Sequence, residues 1–205
     1  MLNPPASPLK FPRLLLTGAG GNLGQELRPR LKAYCDVLRV SHRRDLGAAA
    51  AGEEVQTAAL EDADQMMALL DGVSAVVHMG GVSTEQPWAP ILAGNIVGMV
   101  NLYEAARLKG VKRIVFASSN HVTGFYRQDE VVNTRMPPKP DGFYGLSKAF
   151  GEDLAQLYWD RWGIETVSIR IGSSFTEPKD RRMLATYLSY DDLERLIVAA
   201  LTAPI

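Results

Sequence analysis

One turn near the start constrains the fold more than anything else in the chain. Arg13-Leu14-Leu15-Leu16-Thr17 is an apolar run that breaks into Gly18-Ala19-Gly20-Gly21-Asn22-Leu23-Gly24. Leu23, Leu27 and Leu31 then recur at helical spacing. A short apolar strand that ends in glycines and gives way to a helix opens a βαβ unit. Gly18, Gly21 and Gly24 stand in the pattern G-x-x-G-x-x-G. Glycines at these places permit a tight turn and let the backbone approach a pyrophosphate, to which the next helix offers free N–H groups. The bland alternative is an ordinary glycine-rich loop; the strand before and the helix after favour the phosphate-binding reading.

The rest of the chain repeats the alternation. Residues 1–12 hold four prolines and read as an irregular arm. Strands are predicted over 13–17, 36–40, 54–59, 75–78, 113–117 and 166–171. Residues 47–52 read as a surface loop or a weak helix. A short helix over 62–70 is capped by Asp62, and long helices over 90–109 and 143–162 are closed by Gly110 and Gly163. A last helix spans 191–202. Strands alternating with helices predict an α/β fold, a doubly wound parallel sheet (a Rossmann fold) with helices on both faces. At 205 residues and 46% hydrophobic, the chain suits one domain with a sizeable core over residues 13–205.

Charge and composition narrow the partners. Lys+Arg total 22 against 23 Asp+Glu, a net charge of -1, which gives no electrostatic footprint for nucleic acid. No apolar run is long enough to cross a membrane. The start has no apolar signal core, and the single Cys35 fits a reducing compartment, so the expected setting is cytoplasmic. His42, His78 and His121 show no ligand spacing, so no metal is expected.

Chemistry is suggested by Tyr144-Gly145-Leu146-Ser147-Lys148. Residues four apart share a helix face, and an ammonium beside a phenol favours the phenolate, which would make Tyr144 a general base. A chance pairing on one face is the alternative. Ser118 and Ser119 end the fifth strand, where the ligand crevice of such a sheet lies; a serine there can bond a substrate oxygen or merely cap the strand. Asn95 can hold a water or a backbone carbonyl near the lysine, or be a packed residue with a satisfied amide. The second strand ends in His42-Arg43-Arg44 without the acid that holds the adenosine ribose of NAD. Two arginines there suit the 2′-phosphate of NADP, or are solvated loop charges; Asp45 is near enough to serve if the loop folds back.

Together, TGxxGxxG, an Asn in the fourth helix, a Ser after the fifth strand and YxxxK resemble the extended short-chain dehydrogenase/reductases, the NAD-dependent epimerase/dehydratase group. The resemblance covers essentially the whole chain. Residues 117–126 (ASSNHVTGFY), residues 140–148 (PDGFYGLSK), Ser168 to Ser174, Gly80 to Ser83 and Arg182-Met183-Leu184 resemble the bacterial uronate dehydrogenases more narrowly. The resemblance implies oxidation of D-glucuronate or D-galacturonate at C1 to an aldarolactone, with NAD as cofactor. It implies Ser119, Tyr144 and Lys148 as the catalytic set, supported by Asn95. Ser83, Asn120, His121 and Ser173 would line the sugar site together with Ser119 and Tyr144, and Arg182 would hold the carboxylate. The cofactor would lie along Gly18, Gly20, Gly21, Asn22, Leu23 and Gly24. Its adenosine end would meet His42, Arg43 and Leu60. Met79, Gly80, Gly81, Ser118, Ile171, Tyr144 and Lys148 would meet the rest.

Three departures go with this resemblance. His42 and Ala59 stand where the family carries Asp, which leaves NADP open beside NAD. The family also continues beyond the last helix with elements that close the site, whereas this sequence ends at Ile205, so a fragment lacking the substrate-closing part is expected. Two alternatives follow: a sugar-nucleotide epimerase or reductase of the same superfamily, or a silent NAD(P)-binding module. Homodimerisation through the two long helices is expected by analogy.

Overall fold

The computed structural model describes residues 10–204. Six strands form one parallel sheet: β1 Phe11–Thr17, β2 Cys35–His42, β3 Glu53–Thr57, β4 Ala75–His78, β5 Arg113–Ser119 and β6 Glu165–Ile171. Their order is β3-β2-β1-β4-β5-β6. The helices are α1 Asn22–Leu31, α2 Ala63–Leu69, α3 Trp88–Ile91, α4 Gly98–Lys109, α5 Phe143–Trp162 and α6 Tyr190–Thr202. The predicted doubly wound α/β architecture is therefore present.

Alternation along the buried strands sends side chains to two cores. Leu15, Val76, Ile114 and Phe116 pack with α2, α4 and α5. Leu14, Leu16, Val77 and Val115 pack with α1 and α6. Polar contacts also join the last two of these helices. Arg30 bonds Asp191 at 2.6 Å and Glu194 at 3.0 Å, and the Tyr34 hydroxyl donates to Glu194 at 3.1 Å.

Two expectations need correction. Residues 1–9 of the expected arm lie outside the described residues, but Phe11 and Pro12 belong to β1. Pro12 is tolerated because β1 pairs only with β2 there; the ladder to β4 starts at Leu14. The predicted single helix over 90–109 is interrupted. It starts earlier, at Trp88, and the turn Leu92–Val97 between α3 and α4 is π-helical. Wider turns of this kind break helical periodicity and often occur at functional sites.

The strand order reverses between β1 and β4. β1 continues outward to β2 and β3, while β4 continues to β5 and β6, and a crevice opens at their carboxyl ends. The helices that follow β1, β4 and β5 start from the carboxyl-end side of the sheet, where that crevice lies.

Candidate active site

The glycine turn meets the loop after β4 almost backbone to backbone. Gly18 has φ +69°, and a Cβ there would lie 2.6 Å from the Met79 carbonyl. A Cβ on Gly24 would fall into the Gly18 carbonyl oxygen. Only glycine allows these approaches of backbone to backbone. Gly21 precedes α1 and offers no side-chain cap, so the first N–H groups of the helix, on Asn22 and Leu23, face the crevice without one. Thr17 ties the two loops together: its hydroxyl lies 2.7 Å from His78 Nδ1 and accepts the Gly80 N–H at 3.2 Å. His78 is buried and neutral, its pKa lowered to about 3 by burial and then by the Lys148 charge. Leu60 packs over Gly80, and Ile171 pairs with Ser119 at the end of β6. Gly81, at φ +113°, sits against the Asn95 amide.

Tyr144 and Lys148 lie one turn apart at the start of α5, both buried. The Lys148 Nζ donates to the Ala117 carbonyl at 2.8 Å and lies 5.6 Å from the centre of the Tyr144 ring. Burial lowers the Lys148 pKa to about 8. The expected lowering of the tyrosine does not occur in the chain alone. Burial pushes Tyr144 above its ordinary value, and the opposing influence comes from the Ser119 hydroxyl. That hydroxyl also accepts the His121 N–H at 3.2 Å and points toward Asn120 Oδ1 at 3.4 Å.

Asn95 is buried beside the site with both N–H groups of its amide bonded and its oxygen accepting. Oδ1 accepts the Val82 N–H at 2.7 Å, while Nδ2 donates to the Val82 carbonyl and to Ser147 Oγ at 3.0 and 2.9 Å. Ser147 passes its own hydrogen to the Tyr144 carbonyl at 2.7 Å. The π-helical turn that carries Asn95 therefore pins the loop after β4 to the catalytic helix. The Ser118 hydroxyl is engaged within the fold. Its hydroxyl donates to Glu152, which also takes both nitrogens of a bidentate Arg170, so the side chain is spent within the sheet–helix contact.

Several residues here escape sequence reasoning. Glu85 accepts the N–H groups of Phe143 and Tyr144 at 3.0 and 2.9 Å, capping α5 from the loop after β4. Asp141 holds His121 Nδ1 at 2.9 Å, and the imidazole stands edge-on to Tyr144 with ring centres 5.6 Å apart. Ser83 and Asn120 are exposed beside these groups in chain order, on the loops after β4 and β5. Ser173 follows β6, where its hydroxyl lies 3.2 Å from Thr186 Oγ1. Arg182 is exposed at the head of the short turn Met183–Thr186, anchored when Asp180 accepts the Met183 N–H at 2.9 Å.

With this geometry in place, residues 14–195 match the NAD dependent epimerase/dehydratase family. The chain belongs to that family. It is 55% identical over 195 residues to a uronate dehydrogenase of Pseudomonas syringae pv. tomato, covering 95% of this chain and 71% of the relative. The figure for a uronate dehydrogenase of Pseudomonas putida is 57%, over 95% and 73% of the two chains. Among solved structures, a tyrosine mutant of uronate dehydrogenase from Agrobacterium tumefaciens, complexed with NAD, superposes with a TM-score of 0.92. Its identity to this chain is 48%, over 94% of this chain and 73% of that one.

Proposed function

We propose that the chain oxidises a hexuronic acid, D-glucuronate or D-galacturonate, at C1 to the lactone, using NAD. The observation that carries the reading is the convergence of Tyr144, Lys148 and Ser119 on the crevice that also holds the glycine cradle. The residues present fit a dinucleotide. Gly18 and Gly24 leave space no other residue would leave, and the uncapped start of α1 suits a pyrophosphate. A bound oxidised nicotinamide would supply the hydride acceptor for C1.

The chain's own groups do the rest. Ser119 Oγ donates to the anomeric oxygen and Tyr144 Oη, as phenolate, takes its proton. Lys148, its pKa lowered to about 8 by burial, is mostly protonated at pH 7 and places an ammonium 5.6 Å from the centre of the phenol ring, where a positive charge favours the phenolate. His121, fixed by Asp141, together with Asn120, Ser83 and Ser173, suits sugar hydroxyls. The Arg182 guanidinium suits the planar carboxylate. Asn95 and Glu85 hold the loop of Ser83 against α5. The silent-module alternative is not adopted, because tyrosine and lysine stand together on the helix.

The setting we propose is the cytoplasm. No helix among the described residues is long and apolar enough to cross a membrane, and Cys35 is buried with its thiol pushed up, hence unreactive. Two copies are proposed to pair through α4 and α5. Leu108 on α4, and Phe143, Leu146 and Leu157 on α5, stand exposed.

The test is turnover with glucuronate followed by the absorbance of reduced cofactor. Tyr144→Phe is expected to lower kcat by about 10²- to 10⁴-fold. A variant that kept the parent rate would sink the mechanism.

A further inference from the structure

Lys148 carries its charge in a place that gives it little support. Its Nζ donates to one acceptor, the Ala117 carbonyl, and it is in no ion pair among the described residues. The small void beside it is lined by His78, Gly80, Asn95, Met99, Phe116 and Ser147, none of them an acid. His78 is neutral there. Asn95 and Ser147 bond each other, Val82 and the Tyr144 carbonyl. Glu152, one turn further along α5, is taken by Arg170 and Ser118. A buried ammonium with N–H groups left over and no anion beside it needs some other feature that favours the cation.

That feature is a pair of aromatic rings. Nζ lies 4.9 Å from the centre of the Phe116 ring and 5.6 Å from that of Tyr144. The face of such a ring is its negative side, and a desolvated cation within about 6 Å is drawn to it. Phe116 is the nearer of the two, and it is firmly held. It is buried in β5 and paired with His78 of β4, and the two rings stack with centres 5.9 Å apart and planes 22° apart. The catalytic helix makes room for it at Gly151, where a Cβ would lie 2.7 Å from Cε1 and Cζ of the ring. Gly151 is three residues after Lys148, on the same side of α5, so ring and ammonium meet there.

We propose that Phe116 is a positioning residue for the reaction: the face of its ring seats the Lys148 ammonium, keeping it a cation and aiming it at Tyr144. The use of this seat in turnover rests on the dehydrogenase reading above, while the seat itself is a property of the folded chain.

Fluorine withdraws charge from a ring face with almost no change of shape. Mono-, di- and trifluorophenylalanine in place of Phe116 therefore grade the attraction and leave the packing alone. The readout is the Lys148 titration, followed by NMR with isotope-labelled lysine and assigned by its absence from Lys148→Met. Its midpoint is expected to step down with each fluorine, by about one pH unit across the series, a tenfold change in the acid constant. Turnover of glucuronate at pH 8 should fall in step, by about fivefold in kcat with KM unchanged, as the charged fraction falls. Circular dichroism checks that each chain is folded. A midpoint that stays in place through the series overturns the seat. A midpoint that steps down while kcat keeps its parent value overturns Phe116 as a positioning residue. A stepping midpoint in a chain whose parent already fails to turn over glucuronate leaves the seat standing and removes the dehydrogenase reading.

Discussion

Lys148 answers to two opposed demands. It must be charged to act on the phenol, yet it is 6% exposed, and its only hydrogen bond is to the Ala117 carbonyl. Its folded pKa, about 8, lies below the ordinary 10.5. A base whose pKa falls on folding destabilises the native state below the folded value, and the penalty fades as pH rises toward the unfolded one. Across that gap the penalty is of the order of 3 kcal/mol at neutral pH. Lys148→Met is therefore expected to raise the melting temperature at pH 7, with the gain shrinking by pH 10, while turnover is lost. A constant gain across that range would contradict the buried charge. Sequence made this residue legible because Tyr144 and Lys148 are four apart on one helix. It did not expose Glu85 or Asp141, whose partners lie 58 and 20 positions away. Nor did it show that Asn95 would be fully bonded, since its partner Ser147 is 52 positions off and meets it only in the fold.

At the scale of elements, the loop after β4 is a clasp on the start of α5. Glu85 supplies two bonds to N–H groups that no other residue satisfies, and a Cβ on Gly142 would run into its carboxylate. Glu85→Ala should cost about 1 kcal/mol, the usual scale of a lost helix cap, and reduce kcat through a misplaced Tyr144. Glu85→Gln keeps an acceptor but loses its negative charge beside the catalytic helix, so it should recover part of the stability and shift the pH–rate profile of kcat toward lower pH. Equal pH profiles for parent and Gln variant would show the cap to be structural only. In the glycine turn, Gly24→Ala forces a methyl onto the Gly18 carbonyl and should abolish dinucleotide binding, measured by calorimetry. The turn was legible because glycine spacing is local. The π-helical turn was not, because the bonds made by its Asn95 reach Val82 and Ser147, 13 and 52 positions away.

For the whole molecule, the strand order and both cores follow from the alternation of apolar strands with helices, which is why six strands were readable with ends one or two residues off. Assembly is less legible, since an exposed leucine looks the same in sequence as a buried one. Leu146→Glu is expected to convert a dimer to a monomer in sedimentation, without changing the fold. A monomeric parent would remove the proposed pairing. The contact of α1 with α6 has a further consequence, and it concerns time. Arg30 and its partner Asp191 are 161 positions apart, and Leu27 and Leu31 share a core with Leu193 and Ile197. At about 5–20 residues per second, a ribosome needs roughly ten to thirty seconds to make the chain between them. For that interval the apolar side of α1 has no helix over it, and the nascent first half of the sheet must be kept from aggregating until its last neighbour is synthesised.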